Sequence, residues 1–180
     1  MEENTELDLI ETPAKEKKSL TKKILSHIYI PIIVIIVLLF NIFIGRIGLT
    51  VGESMMPTLN DSDFIYVNLR EEVKRDDIIV INSETEGCLI KRVIALPGET
   101  IQIKHNIIFI NGKPYDDRYN VIMKDYGIAA NEIKLNENEY FVMGDNRNNS
   151  YDSRAFGPIN ENEIMGVVTH TVIPYKNLVQ

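Results

Sequence analysis

Between Ile24 and Ile44 the chain carries no charged side chain. The run ILSHIYIPIIVIIVLLFNIFI is about 21 residues, or roughly 32 Å as an α-helix at about 1.5 Å per residue. A bilayer's hydrocarbon core is about 30 Å thick, so this length spans it. Pro31 falls in the first part of the run, where a spanning helix tolerates it. His27 and Asn41 lie near its ends, within reach of an interface. A buried core helix of a soluble domain would show a polar stripe over this length. A cleaved signal peptide would share the basic flank of Lys15, Lys17, Lys18, Lys22 and Lys23, but its apolar region would be shorter and followed by an A-x-A-like site. GRIGLTVGES follows instead, so an uncleaved signal-anchor is expected. The lysines precede the span and little basic charge beyond Arg46 follows it, which puts the N-terminus in the cytoplasm and the rest of the chain outside. The expected organisation is a disordered cytoplasmic tail over 1–23, a transmembrane helix over 24–45 and an extracytoplasmic domain over 46–180. The tail assignment rests on MEENTELDLIETPA, acidic and poor in large apolar residues.

The exterior part reads as short apolar runs separated by turn chemistry. DFIYVNL, DIIVINS, CLIKRVIAL, IQIK, IIFI, EYFVMGD and MGVVTHTVI are rich in Ile, Val, Tyr and Phe and predict strands. NDSD, KRDD, ETEG, LPGE, KHN and NGKP lie between them. A mainly β domain is expected, antiparallel and partly barrel-like. The stretch 114–138 is less patterned and reads as a hairpin insertion or a long loop. With 180 residues, this is one modest domain plus extras. A net charge of −7 argues against a nucleic-acid partner. The single cysteine, Cys88, excludes an intrachain disulfide and is expected in the core.

Three segments carry candidate chemistry. In GESMMPTL, Ser54 follows Gly52 and Glu53 and precedes Pro57, so it is displayed on an irregular turn. A serine nucleophile needs a base. His27, His105 and His170 lie in the membrane run, in a KHN turn and in the last strand, and none sits in a triad-like motif. Lysine is the other choice, because Ser-Lys variants of triad logic exist. A lysine titrates near 10.4 and must be desolvated to serve as a base at neutral pH. CLIKRVIAL holds a lysine in an apolar strand. There Lys91 shares a face with Leu89, Val93 and Ala95, and the other face carries Arg92 between Ile90 and Ile94. Pattern alone leaves a second reading open, in which both cations snorkel from an edge strand. The third segment, GDNRNNSYDSRAFGPI, combines Asp145, Arg147, Asp152 and Arg154, either as a hydrophilic surface loop or as a polar scaffold on a β frame.

Together these segments resemble the signal peptidase I family, in the short single-span form common in Gram-positive bacteria. SMMPTL is similar to that family's nucleophile box, RDDIIVI to its next strand box, KRVIALPGE to its lysine box and GDNRNNSYDSR to its last box. The likeness covers about 51–159, in order and after an N-terminal anchor. It implies a membrane-bound serine endopeptidase that removes signal peptides from exported preproteins, cutting after small residues at −1 and −3. It implies Ser54 as nucleophile, Lys91 as general base and Ser150 as hydrogen-bond partner of the lysine. It pairs Asp145 with Arg92 and Asp152 with Arg154, and makes the Ser54 N–H an oxyanion donor. Gly52 stands where some members carry a serine that helps the oxyanion, so the second donor is left open. The implied partners are preproteins, the lipid bilayer and the secretion translocon. No cofactor is implied, and no zinc or EF-hand spacing is present. Ser54 lies at most roughly 35 Å of chain beyond the span, and Met55 and Met56 are expected either to dip into the outer leaflet or to be buried. A sortase-like thiol transpeptidase built on Cys88, a non-catalytic tethered relative and a narrow-substrate peptidase are the alternatives.

Overall fold

The computed structural model describes residues 29–43, 45–84, 87–119, 121–173 and 175–178. The uncharged run forms helix α1 (Tyr29–Phe43), and every described side chain from Tyr29 to Leu39 is exposed. Among the described residues no helix is long and apolar enough to cross a membrane. Residues 24–28 and 44 of the expected span lie outside the described residues, as does the expected tail over 1–23. Gly45, placed at the end of that span by the sequence pattern, instead opens a strand. The chain divides into two units, Met1–Phe40 and Asn41–Gln180.

The second unit is antiparallel β. Its strands are β1 (Gly45–Leu49), β2 (Phe64–Asn68), β3 (Ile78–Ser83), β4 (Gly87–Ala95), β5 (Thr100–Lys104), β6 (Ile107–Ile110), β7 (Lys113–Pro114), β8 (Ile133–Lys134), β9 (Glu139–Met143), β10 (Ile159–Asn160), β11 (Ile164–Ile173) and β12 (Lys176–Asn177). The seven expected strands are present as β2 to β6, β9 and β11. The larger sheet runs β1-β2-β11-β3-β4-β9-β10, with β12 on β11, and a smaller sheet runs β7-β6-β5-β8. Neither forms a closed barrel, which corrects the partly barrel-like expectation. The physical reason is in the pairing: β1 pairs only with β2 and β10 only with β9, so the path ends at two strands that do not meet.

Strand order decides which residues are buried. In β3, Ile78 and Val80 pack with Ile65, Val67 and Val168 on one face. Ile79 and Ile81 pack with Val93, Val142 and Val167 on the other. A continuous IIVI run is what a strand covered on both faces requires. β4 lies beside β3 and β9 and is therefore central. The smaller sheet closes a third apolar cluster of Ile101, Ile103, Ile108 and Ile110 against Phe141 and Met143. Among its described residues the unpatterned 114–138 stretch holds a strap without regular secondary structure, a 3-10 turn at Gly127–Ala130 and β8, which adds to β5.

Candidate active site

Ser54 sits in the loop between β1 and β2. Buried Met55 and Leu59 root this loop in the core, and the Met55 carbonyl accepts from the N–H groups of Thr58 and Leu59. Met56 is exposed and Met55 buried, so only one of the pair faces out. The far side of the loop is held by Thr50, whose hydroxyl donates to the Asn60 carbonyl at 2.6 Å. Gly52 takes φ +91°, and its N–H donates to Asp61 at 2.7 Å. That N–H is thereby engaged.

Lys91 and Arg92 are 3% and 1% exposed, so neither snorkels from an edge. Their burial follows from the central position of β4. Lys91 Nζ donates to Ser54 Oγ at 2.9 Å, across 37 residues of chain. Burial holds the Lys91 amine below its ordinary value, and the carboxylates of Asp152 and Asp145 oppose that shift. Arg92 is held differently. Its Nε donates to Asp145 Oδ1 at 2.7 Å and its Nη2 to Oδ2 at 2.6 Å. Burial alone would lower its pKa, but the Asp145 hydrogen bonds and charge outweigh it and raise the value. A bidentate pair of this kind is the geometry in which a buried guanidinium is tolerated. Two adjacent cations on one strand thus meet opposite conditions.

The loop after β9 closes the site. The Asn146 N–H donates to the Ser54 carbonyl at 3.0 Å, and its side-chain amide donates to the Glu53 carbonyl at 3.2 Å. Asp152 pairs with Arg154 through 2.9 Å contacts and accepts from the Gly144 N–H at 3.0 Å. It also caps the one-turn helix α2 (Ser153–Phe156) by accepting from the Arg154 N–H. Arg154 Nη2 reaches back to the Arg147 carbonyl at 2.5 Å. Gly144 is required by space: a Cβ there would collide with the Ser150 side chain and lie 2.6 Å from the Ser54 carbonyl oxygen.

The structure therefore brings Ser54 and Lys91 together, and pairs Arg92 with Asp145 and Asp152 with Arg154. Ser150 stands beside Gly144, but its buried Oγ makes no hydrogen bond, so the expected Ser150–Lys91 contact is absent. The amine points to Ser54 instead. Cys88 is exposed, against the expectation of a core thiol, because the β3–β4 end of the sheet stands free of either core face. It lines a groove of about 230 Å³ together with Val51, Ser54, Leu89, Ile90 and Lys91. His105 occupies a turn at φ 49°, and His170 stacks on Tyr66 at 5.0 Å. His27 lies outside the described residues. Sequence reasoning missed Thr58 and Asp76, which lie inside the quoted SMMPTL and RDDIIVI segments, and Tyr115, Asp117 and Tyr119, which surround the arginines from a segment with no box of its own. A tyrosine–acid alternation in YDDRY was the available signal.

Residues 20–173 match the family described as signal peptidase, peptidase S26. The chain is 38% identical over 165 residues to Signal peptidase I T of Bacillus subtilis (strain 168), covering 84% of this chain and 86% of that one. It is 35% identical over 182 residues to Signal peptidase I of Bacillus amyloliquefaciens, covering 91% and 96%. Among solved structures, a signal peptidase I from Enterococcus faecalis V583 is 33% identical with a TM-score of 0.47, covering 55% of this chain and 98% of that one.

Proposed function

The chain belongs to the signal peptidase family, peptidase S26, and from that premise we propose that it is a serine endopeptidase that removes N-terminal signal peptides from exported preproteins. The observation that carries the mechanism is the 2.9 Å contact between Lys91 Nζ and Ser54 Oγ inside a groove. With the amine neutral, the hydroxyl proton lies toward Nζ. Ser54 attacks the scissile carbonyl as Lys91 takes that proton, and Lys91 then gives it to the leaving amine. The Ser54 N–H is an oxyanion donor, and the Gly52 N–H is not a second one while it serves Asp61. Arg92–Asp145 fixes β4 against the last loop, and Asp152–Arg154 braces that loop internally. The groove is walled by Val51, Met55, Leu59, Leu89 and Ile90. Such a surface suits small apolar side chains, in keeping with cleavage after small residues at −1 and −3.

Purified full-length protein in detergent is expected to cleave a generic preprotein with alanine at −1 and −3, and Cys88→Ala is expected to cleave it equally well. No cleavage by either protein would overturn the peptidase reading. Loss in Cys88→Ala alone would favour thiol chemistry, since Cys88 shares the groove.

The localisation belongs to the same proposal: a single-pass membrane protein with a cytoplasmic N-terminus. It rests on the uncharged run from Ile24 to Ile44, the preceding lysines and the exposed apolar surface of α1. The bilayer and the translocon are then its surroundings. A protease added outside intact cells should digest the catalytic domain and spare the lysine-rich tail. A protected catalytic domain would reverse the topology.

A further inference from the structure

The strap after β7 alternates in burial. Tyr115, Asp117 and Tyr119 turn inward, and Asp116 and Arg118 are exposed. Each inward residue engages the arginine scaffold. Tyr115 donates its hydroxyl to Asp76 Oδ1, and the Asp76 carbonyl accepts from Arg92 Nη1 at 2.5 Å. Asp117 pairs with buried Arg147 at 2.9 Å. Tyr119 lies between the two guanidiniums, with its ring centroid 5.7 Å from Arg92 Cζ and 5.3 Å from Arg147 Cζ.

The Tyr119 hydroxyl has one proton and three partners. Asp145 Oδ2 lies at 2.5 Å and, as a carboxylate, only accepts, so the proton goes there. Arg92 Nη2 donates to the phenolic oxygen at 3.0 Å. Thr58 Oγ1, at 2.5 Å, must then donate as well. Burial, followed by the Asp145 hydrogen bond, pushes the phenol upward, which keeps it a donor. Its three partners belong to three segments of the site. Thr58 is on the Ser54 loop and Arg92 follows Lys91 in β4. Asp145 precedes Asn146, whose N–H holds the Ser54 carbonyl. None of the contacts reaches Ser54 or Lys91 directly.

We propose that this strap is a clasp on the catalytic scaffold and that Tyr119 is a positioning residue, its hydroxyl setting the Ser54 loop in register with β4. The inference rests on the Ser54–Lys91 reading and deepens it. The hydroxyl joins the two segments that must meet within 2.9 Å for proton transfer. A small misplacement there lowers the chemical step far more than substrate binding. The two outward residues serve as internal controls, because they share the strap, are exposed and, among the described residues, make no hydrogen bond or ion pair to the scaffold.

The test uses full-length protein in detergent and the preprotein with alanine at −1 and −3, well below the unfolding midpoint. Wild type, Tyr119→Phe, Thr58→Ala, their double variant and Asp116→Asn are compared for kcat, KM and thermal midpoint. Tyr119→Phe is expected to lower kcat at least tenfold with KM within about twofold. The double variant should lose less than the product of the two single losses, because both variants break the shared Tyr119–Thr58 link. Asp116→Asn should match wild type. Unchanged kcat in Tyr119→Phe, or losses that multiply in the double variant, overturn the clasp. A loss that tracks the thermal midpoint alone also overturns it, in favour of plain packing. If Tyr119→Phe fails to fold, the kcat of Thr58→Ala decides by the same criterion. A wild type without cleavage overturns the peptidase reading itself, and the clasp with it.

Discussion

Ser54→Ala is expected to lower kcat by at least about a thousandfold, as loss of a nucleophile does in triad enzymes. The fold should hardly register the change. Ser54 is half-buried on a loop whose anchors are Met55, Leu59, Thr50 and the backbone bonds to Asn146, and among the described residues its side chain has one hydrogen-bond partner, Lys91. Thermal unfolding of the variant should therefore lie close to that of wild type. Single-turnover cleavage measures the rest: a variant that retains more than about a thousandth of the wild-type kcat would show that another group attacks.

Lys91→Arg is expected to be equally inactive, because a guanidinium cannot accept a proton. The pH profile of the wild type carries the complementary result. Burial places the Lys91 pKa below 10.5, with Asp152 and Asp145 pulling it partly back. The neutral amine is the active form, so kcat/KM should rise with pH through an acid limb at the lowered pKa. The linkage has the same sign. An unfolded chain titrates this lysine near 10.5, so between the folded and unfolded values the unfolded state binds more protons, and stability rises with pH across that window. Below the folded pKa the buried charge costs its full amount. Lys91→Met, which removes the charge but keeps the bulk, should be inactive yet no less stable than wild type at neutral pH. A robustly active Lys91→Arg, or an activity without an acid limb, would remove the dyad.

Much of this site could be read from residue order. Alternating and β-branched runs located the long strands, since those runs are what two-sided burial in a sheet demands. The short strands β7, β8, β10 and β12 left no trace, because two-residue pairings need no periodicity. The burial of Lys91 and Arg92 was ambiguous for a related reason. Whether β4 is an edge or a centre is decided by β3 and β9, which lie outside its own sequence. Cys88 shows the converse. Its apolar neighbours suggested a core position, yet it lies at the exposed start of β4, before the strand enters the core. Tyr119 was illegible because its role depends on Thr58, Arg92 and Asp145, each at least 26 residues away. The alternation in YDDRY marks which residues turn inward but not which distant partners they meet.

The strand order also sets a timetable for assembly. β2 and β3 do not pair with one another; β11 lies between them and pairs with both. Ser54 is carried on the β2 side of that seam and Lys91 on the β3 side. A chain emerging from a ribosome or a translocation channel can form the β1–β2 and β3–β4 hairpins early, since their contacts are local. The middle of the sheet must wait for residues 164–173, and pairings across such sequence separation form slowly. Within the sheet, the two hairpins that carry nucleophile and base are therefore joined only when β11 takes its place between β2 and β3.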